Sequence, residues 1–286
     1  MKIILIGYGN VGKELHKILN EKNLAENFIV KTNGIFDANN LKIDENQNLE
    51  KYLDSDTYIF IAIPSKGKGE DASKYYLNAL QKNAKIITCE KAFLANNWEL
   101  IKKFKKLIKY SATVGGNSGI LNAITENKNK MKEIKVIANG TLNYISDKLS
   151  TGVSKEQLYR EVLGNGFAEP SSKNFEEVIE NELKDVIYKT LILANHSKLY
   201  KRTIKTEDIK LQKYNQSLRC SVLLNKKEIK AGFIKFEDIS WFPKGVNNVL
   251  YINGKKIIEG PGAGGRITAE RMFSDFKELV KANSYF

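Results

Sequence analysis

Short apolar runs alternate with stretches of helical periodicity through the first 114 residues of the chain. The apolar runs cover residues 2–6, 28–36, 57–63, 85–88 and 110–114, and helical periodicity covers residues 13–19, 72–83 and 100–108. Continuous apolar runs of this length are typical of strands buried on both faces, and strands that alternate with helices form parallel sheets. The pattern therefore predicts an α/β fold built on a parallel sheet.

The pattern of apolar positions changes after residue 120. Residues 134–138 predict a strand, residues 139–144 open a helix, and short strands such as 222–224 and 249–252 follow. Helical periodicity returns from Thr268 through Met272, Phe276 and Leu279. We therefore predict two domains, one of residues 1–120 completed by residues 261–286 and one of residues 121–260, with the final helix packed back on the first domain.

Residues 166–189 have a partly apolar helical pattern that contains several carboxylates and ends in Lys189. Asp185 and Lys189 are four residues apart, so on a helix their side chains project from the same face. The apolar neighbours Val186 and Ile187 indicate that this helix is substantially buried, and a buried lysine beside a carboxylate can transfer a proton. An ordinary helical ion pair is the alternative, and the spacing alone favours it.

A glycine motif, GYGNVG, directly follows the first apolar run and precedes a helical pattern. In G-x-G-x-x-G the first glycine permits a tight turn, the second lets a pyrophosphate approach, and the third allows the helix to pack closely on the strand. The N–H groups and the positive end of the helix dipole then face the phosphates. The motif predicts dinucleotide binding, with contacts from Gly7, Gly9, Asn10, Val11 and Gly12.

Three polar residues follow predicted strands, whose carboxyl ends bind ligands in open parallel sheets. Asp37 ends the second apolar run, and it either accepts hydrogen bonds from an adenosine ribose, which favours NAD over NADP, or stabilises a turn. Ser65 and Lys91 follow the third and fourth runs, so we expect both near a dinucleotide. Lys91 is also a candidate for proton transfer; a plain turn serine and a solvated lysine are the alternatives.

Composition limits the classes of function. The 286 residues carry a formal charge of +13, which favours anionic ligands, but the lysines are spread along the chain without the interleaved aromatic residues of an RNA-binding surface. With two histidines, a histidine-based triad or a His-rich metal centre is not expected. The two cysteines form no disulfide framework, and no apolar run approaches the ~20 residues of a membrane span. We expect a cytoplasmic protein without nucleic-acid or membrane partners.

Seven stretches, taken in order, resemble homoserine dehydrogenase over almost the whole chain. They are GYGNVG, TCEKAFLA, YSATVGGNSG, IANGTLNYI, GFAEP, DVIYK and GPGAGGRITAERMFSDF. The resemblance implies a Rossmann nucleotide-binding domain, a second α/β domain for catalysis and dimerisation, and a C-terminal helix that returns to the first domain. It also implies a homodimer and a short form of the family, without an appended regulatory domain.

The resemblance implies catalytic roles for particular residues. Lys189 matches the lysine that donates and accepts the proton. Asp185 and Glu169 match residues that bind the substrate amino group, and Lys91 matches a lysine near both nicotinamide and substrate. Glu90 stands where an asparagine is usual before that lysine.

Further positions match residues that bind ligands in the family. Those that match substrate contacts are Glu180, Gly140 and Thr141. Those that match cofactor contacts are Gly166, Gly262, Ala263 and Gly264. Those whose carbonyl groups match a sodium-binding loop are Val114, Gly116 and Ser118.

The resemblance implies a reaction, the reversible interconversion of L-homoserine and L-aspartate 4-semialdehyde in threonine and methionine biosynthesis. Hydride transfer would use NAD or NADP. A sugar or polyol dehydrogenase of the Gfo/Idh/MocA type is an alternative, because Cys89-Glu90-Lys91 is similar to its strand-end motif, but its catalytic helix carries a histidine where this chain has Lys189. A non-catalytic dinucleotide-binding protein is a second alternative.

Overall fold

A computed structural model describes residues 1–45, 48–168, 171–236, 240–262 and 264–283. The chain divides into two compact units: the first unit consists of residues 1–113 with 265–286, and the second unit of residues 114–264. Among the described residues, no helix has the length and apolar character needed to cross a membrane.

The described residues contain strands and helices in both units. The strands are β1 Lys2–Ile6, β2 Phe28–Lys31, β3 Gly34–Asp37, β4 Lys42–Asp44, β5 Thr57–Ile61, β6 Lys85–Thr88, β7 Ile108–Lys109, β8 Glu133–Ile137, β9 Ile209–Gln212, β10 Arg219–Asn225, β11 Ile229–Ile234, β12 Asn247–Ile252 and β13 Lys255–Pro261. The helices are α1 Asn10–Glu21, α2 Glu70–Gln81, α3 Ala92–Asn96, α4 Trp98–Lys103, α5 Ile120–Asn127, α6 Gly140–Ser150, α7 Lys155–Gly164, α8 Phe175–Ser197 and α9 Gly265–Asn283.

The sheet of the first unit has the order β4-β3-β2-β1-β5-β6-β7. Strands β2, β1, β5, β6 and β7 are parallel. The alternation of apolar runs and helices predicts the first four of these, whereas β7 begins at Ile108, where the stretch of helical periodicity over residues 100–108 ends, and α4 ends earlier, at Lys103. The single strand predicted over residues 28–36 is wrong: the chain reverses after Lys31, and Phe28 pairs with Asp37 across an antiparallel hairpin. Gly34 permits this reversal, because its φ of +140° is rarely adopted by other residues.

Helix α9 packs on α1 and on the sheet of the first unit. Its Phe276 contacts the rings of Tyr58 and Phe60, at centroid distances of 5.2 and 5.5 Å. The predicted return of the C-terminal helix is therefore confirmed. The strand predicted over residues 110–114 is wrong, because the Ser111 N–H donates to the buried Asp275 carboxylate of α9 at 2.9 Å and is unavailable to a sheet.

The sheet of the second unit is mostly antiparallel, in the order β13-β12-β8-β10-β11-β9. Helix α6 contacts β10 and β12, and α8 contacts β10 and β11, so both lie against this sheet. The 3₁₀ turn Gly116–Ser118 contacts β13. This contact explains why residues 114–120 belong to the second unit, although the sequence placed them at the end of the first.

Candidate active site

The glycine motif forms a tight turn between β1 and α1. Gly7 has a φ of +92°, and a Cβ there would overlap the carbonyl oxygen of Ala62, directly after β5. A Cβ on Gly12 would overlap the Gly7 carbonyl oxygen, whereas a Cβ on Gly9 would meet no described atom within 4 Å. Packing thus requires the first and third glycines, and the second borders open space into which a phosphate fits.

The start of α1 has the properties of an anion-binding helix terminus. Gly9 is its N-cap residue, no described side chain caps it, and its first turn contains no acidic residue. Asn10 is exposed and Val11 is half-buried. The first N–H groups of a helix lack partners within the helix, and the dipole adds partial positive charge there. The residues present therefore fit the pyrophosphate of a dinucleotide.

Ser65 and Lys91 lie together at the carboxyl edge of the parallel sheet. The Lys91 N–H donates to the Ser65 hydroxyl oxygen at 2.7 Å. The buried Glu90 carboxylate accepts the N–H groups of Ala92 at 2.6 Å and Phe93 at 3.0 Å, at the start of α3. These bonds fix the main chain on both sides of Lys91.

Burial changes the acidity of two groups beside Lys91. Desolvation raises the pKa of the Glu90 carboxyl, and the N–H groups of Phe93 and Ala92 oppose this rise. Burial also raises the pKa of the Cys89 thiol to about 11, so this cysteine is not a nucleophile at neutral pH.

Asp37 does not lie at the sheet edge that carries the glycine motif. Because β3 is antiparallel to β2, Asp37 pairs with Phe28 at the start of β2. Its carboxylate accepts the N–H groups of Asn39 at 3.0 Å and Leu41 at 2.8 Å. This geometry supports the interpretation of Asp37 as a turn residue and not as a ribose ligand.

Lys31 occupies the carboxyl end of β2 instead. Its Nζ lies 4.9 Å from the ring centroid of Tyr8, in the glycine motif, and 4.3 Å from that of Phe36. It also donates to Asn40 Oδ1 at 2.6 Å. A Rossmann fold recognises the adenosine ribose near the end of its second strand. Lys31 is absent from the predicted site residues, because the predicted strand continues to residue 36.

A cluster of carboxylates and one lysine, here called the Lys189 cluster, connects α8 with the residue before α6. Lys189 Nζ lies 2.7 Å from Asp185 Oδ2, and the exposed fractions of the two side chains are 12% and 22%. Asn139 Nδ2 donates to Glu182 Oε2 at 2.7 Å and to Asp185 Oδ2 at 3.1 Å. The ion pair is therefore largely buried and joined to a second carboxylate, unlike an exposed helical pair.

Asn139 is held in place by the helix that it precedes. The Leu142 N–H donates to Asn139 Oδ1 at 2.8 Å, so the amide caps α6 with its oxygen and binds the carboxylates with its NH₂ group. In the same first turn, Gly140 is buried and Thr141 donates to the Phe167 carbonyl oxygen at 2.7 Å. The structure thus brings segment 139–141 to the Lys189 cluster.

Cys220 on β10 lies close to the Lys189 cluster. Its thiol is buried, which raises its pKa; the charge of Lys189 opposes the rise, and the charges of Glu182 and Asp185 add to it. Cys220 therefore gives the cluster an apolar, unreactive neighbour on the sheet.

Glu180 lies outside the Lys189 cluster. It is exposed, whereas Glu182 is half-buried and accepts a hydrogen bond from Asn139. Two residues correspond to about 200° around a helix, so positions 180 and 182 face opposite directions. Glu182 is absent from the predicted site residues, although its spacing of three residues from Asp185 indicates that the two side chains are neighbours.

The predicted cofactor glycines of the second unit have different surroundings. Gly166 has a φ of +67°, and a Cβ there would meet no described atom within 4 Å. A Cβ on Gly262 would overlap the buried Asn248 amide, and Gly264 has a φ of +123°. Two further predicted residues lie outside the described part of the chain: Glu169 and Ala263.

Val114, Gly116 and Ser118 belong to a buried turn. Gly115 and Gly116 have φ values of +81° and +53°, and the Ser118 N–H and hydroxyl donate to the Gly115 carbonyl oxygen at 2.9 and 2.6 Å. Within the described residues, no group of three or more His, Cys, Asp or Glu side chains is placed to hold a metal ion. A cation at this turn would depend on backbone carbonyl oxygens.

The family model described as homoserine dehydrogenase matches residues 120–276, more than half of the chain. The chain belongs to the homoserine dehydrogenase family. This match spans the Lys189 cluster and confirms the family recognised from seven stretches of sequence. It favours neither a sugar dehydrogenase of the Gfo/Idh/MocA type nor a non-catalytic protein.

Individual relatives agree with this assignment. The chain is 26% identical to the homoserine dehydrogenase of Sulfurisphaera tokodaii, over 92% of this chain and 93% of the relative. It is also 26% identical to that of Methanocaldococcus jannaschii, over 99% of each. A hyperthermophilic archaeal homoserine dehydrogenase, solved in complex with NADPH, has a TM-score of 0.77 and 22% identity over 100% of this chain and 98% of its own. The predicted fold class is therefore confirmed.

Proposed function

We propose that this homoserine dehydrogenase family member interconverts L-homoserine and L-aspartate 4-semialdehyde with NAD(P). The Lys189 cluster carries the proposal, because it combines a largely buried lysine with carboxylates that attract an ammonium group. The glycine motif of the first unit supplies the phosphate-binding turn. NAD(P)H supplies the hydride when it is bound.

The chain's own groups account for proton transfer and substrate orientation. The Lys189 ammonium donates a proton to the aldehyde oxygen during reduction, and the neutral Lys189 amine accepts the proton of the homoserine hydroxyl during oxidation. Asp185, 2.7 Å from Lys189 Nζ, holds the lysine in position. Asp185 and Glu182 attract the substrate ammonium, and Glu169 is proposed from the resemblance to share this role.

Other residues have supporting roles in the proposal. Gly140 and Thr141 shape the substrate site beside Asn139. Lys91, held by Ser65, lies on the nicotinamide side. The residues proposed to contact the dinucleotide are Gly7, Gly9, Asn10, Val11, Gly12, Gly166, Gly262, Ala263 and Gly264.

We propose that the enzyme prefers NADP to NAD. The carboxylate of Asp37 accepts the N–H groups of a turn, whereas the cation of Lys31, which donates a hydrogen bond to Asn40 of that turn, lies beside Tyr8 of the glycine motif. A cation at this position suits a 2′-phosphate, and a carboxylate suits a 2′-hydroxyl.

The resemblance also supports a homodimer in the cytoplasm and a sodium ion on the carbonyls of Val114, Gly116 and Ser118. The positive φ angles of Gly115 and Gly116 support a carbonyl-lined turn at this place. A homodimer predicts a mass of about twice 32.4 kDa by light scattering.

Homoserine oxidation measured with NAD and NADP side by side tests the reaction. We expect homoserine-dependent reduction of the nucleotide, faster with NADP at low concentration. A purified, folded protein that reduces neither nucleotide would contradict the proposal.

Replacement of Lys189 tests the proton-transfer role. We expect Lys189→Ala to lower kcat by about 10²–10⁴-fold, the usual contribution of a positioned acid or base, while NADPH binding is retained. Lys184→Ala is the matched control, because Lys184 lies on the same helix but is exposed. Turnover of Lys189→Ala close to wild type would refute the role.

A further inference from the structure

Asn248, on β12, carries a buried amide that has no hydrogen-bond partner among the described residues. Its side chain is 0% exposed, and neither Oδ1 nor Nδ2 has a partner in the described part of the chain. An amide buried in this way loses its hydrogen bonds to water without compensation. The stability of the ligand-free chain therefore does not explain why an asparagine occupies this position.

The β-sheet register places Asn248 at the end of β12 that adjoins the segment before α6. Val249 pairs with Ile137, the last residue of the antiparallel neighbour β8. Asn248 is one step further along the ladder, next to Ala138, and Ala138 precedes Asn139 in the chain.

On the other side of β12, Asn248 lies against the glycine turn that follows β13. Asn248 pairs with Gly260 in the ladder, and a Cβ on Gly262 would overlap both Nδ2 and Cγ of the asparagine. The Gly262 N–H instead donates to the Val246 carbonyl oxygen over a long 3.3 Å. A small shift of the main chain at Gly262 would bring its peptide groups into bonding distance of the amide.

We propose that Asn248 is a positioning residue for the dinucleotide, whose amide pairs with the main chain at Gly262 when the dinucleotide binds. An amide offers a donor and an acceptor, which match the C=O and N–H groups of a peptide. The hydrogen bonds that the amide lacks among the described residues then form in the complex and stabilise it. The inference rests on the proposed function, in which Gly262 contacts the dinucleotide.

Thermal unfolding of Asn248→Leu, with and without NADPH, tests the inference. Leucine has the shape of asparagine but no polar atoms, so we expect the ligand-free variant to melt roughly 2–4 °C above wild type. We expect its Kd for NADPH to rise about tenfold or more, with kcat at saturating NADPH changed less than about threefold. Asn248→Ser, which cannot overfill the site, should show the same loss of NADPH affinity.

Ser221→Ala is the matched control. The Ser221 hydroxyl, on β10 of the same sheet, is also buried without a partner in the described residues, but Ser221 pairs with Gly232 of β11 and not with the strand that precedes the Gly262 turn. We expect the control to leave the Kd for NADPH within about twofold of wild type, since this hydroxyl contributes no bond to the complex.

Two results would overturn the inference. One is an Asn248→Leu protein with lower ligand-free stability and unchanged NADPH affinity, as expected of a purely structural asparagine. The other is Asn248→Ser with wild-type affinity. A wild-type protein that binds NADPH without oxidising homoserine would refute the proposed reaction alone, because the role of Asn248 is decided by binding. A wild-type protein that binds no dinucleotide would refute both.

Discussion

At the scale of single residues, the proposed substrate site depends on which face of α8 each carboxylate occupies. Glu182, Asp185 and Lys189 follow one another at intervals of three and four residues and converge near Asn139. Glu180 carries the same charge two residues earlier and lies in solvent. The two glutamates therefore form a natural pair for comparison.

We expect Glu182→Gln to raise the KM for homoserine about tenfold or more, because it removes a charge that we propose to bind the substrate ammonium in a partly buried site. Glu180→Gln makes the same chemical change on the exposed face and should leave the KM within about twofold. Steady-state kinetics at saturating nucleotide measure both. Equal effects of the two substitutions would show that the substrate is not held by this face of α8.

Glu90 connects the acidity of one buried carboxyl with stability. Burial raises the pKa of the Glu90 carboxyl above the ordinary 4.5, so the folded protein binds the carboxyl proton more tightly than the unfolded chain does. The resulting stabilisation is fully present below pH 4.5 and is lost as the pH rises through the folded-state pKa. The wild type loses this stabilisation as the pH rises, and the glutamine variant does not. We therefore expect the melting temperature of Glu90→Gln minus that of the wild type to become more positive above pH 4.5. Glu99→Gln, at an exposed position, should show a constant difference; a constant difference for Glu90→Gln would contradict the prediction.

At the scale of elements, the local sequence pattern predicts a strand or helix correctly where one periodicity covers the whole element. Strand β6 has the predicted bounds, and α1 and α9 include the predicted stretches of helical periodicity. The β2–β3 hairpin was not predicted, because its short turn interrupts an otherwise apolar run. The course of residues 110–114 depends on Asp275, which lies 164 residues from Ser111 in the chain. No window of local sequence contains such a contact.

The candidate site shows the same limit. Spacing on one helix brought Asp185 and Lys189 together correctly. The same spacing makes Glu182 a neighbour of Asp185, but its hydrogen bond to Asn139, from a segment 43 residues away, is what joins it to the cluster, and helical spacing does not predict that bond. Asp37 was given two interpretations because the direction of β3 decides between them, and that direction is a property of the sheet.

The course of the β2–β3 hairpin leads to a prediction about the preference for NADP over NAD. Lys31 ends β2 beside the glycine motif, so Lys31→Ala should raise the KM for NADPH about tenfold, as expected for a lost charged hydrogen bond, and leave the KM for NADH within about twofold. Asp37→Asn is the control, because asparagine retains an acceptor for the turn N–H groups. A variant of Lys31 with an unchanged ratio of the two KM values would place the 2′-phosphate elsewhere.

At the scale of the whole molecule, 46 basic and 33 acidic residues give a net charge of +13, which acts through the electrostatic field around the protein. Exposed ion pairs such as Lys102–Glu99 contribute only about 0–1 kcal/mol each, so the charge affects ligand encounter more than stability. The phosphates of a dinucleotide are the anions that this field attracts.

We expect the KM for NADPH to rise several-fold as salt increases from about 0.01 to about 0.15 M, where the screening length falls from about 30 to about 8 Å. The KM for NADH should rise less, because NADH lacks the 2′-phosphate, and the KM for the zwitterion homoserine should change least. Choline chloride is the salt of choice, because it separates screening from any effect of sodium on the turn at Gly116. Equal salt dependence for all three ligands would show that the net charge of +13 acts on general properties of the enzyme and not on dinucleotide capture.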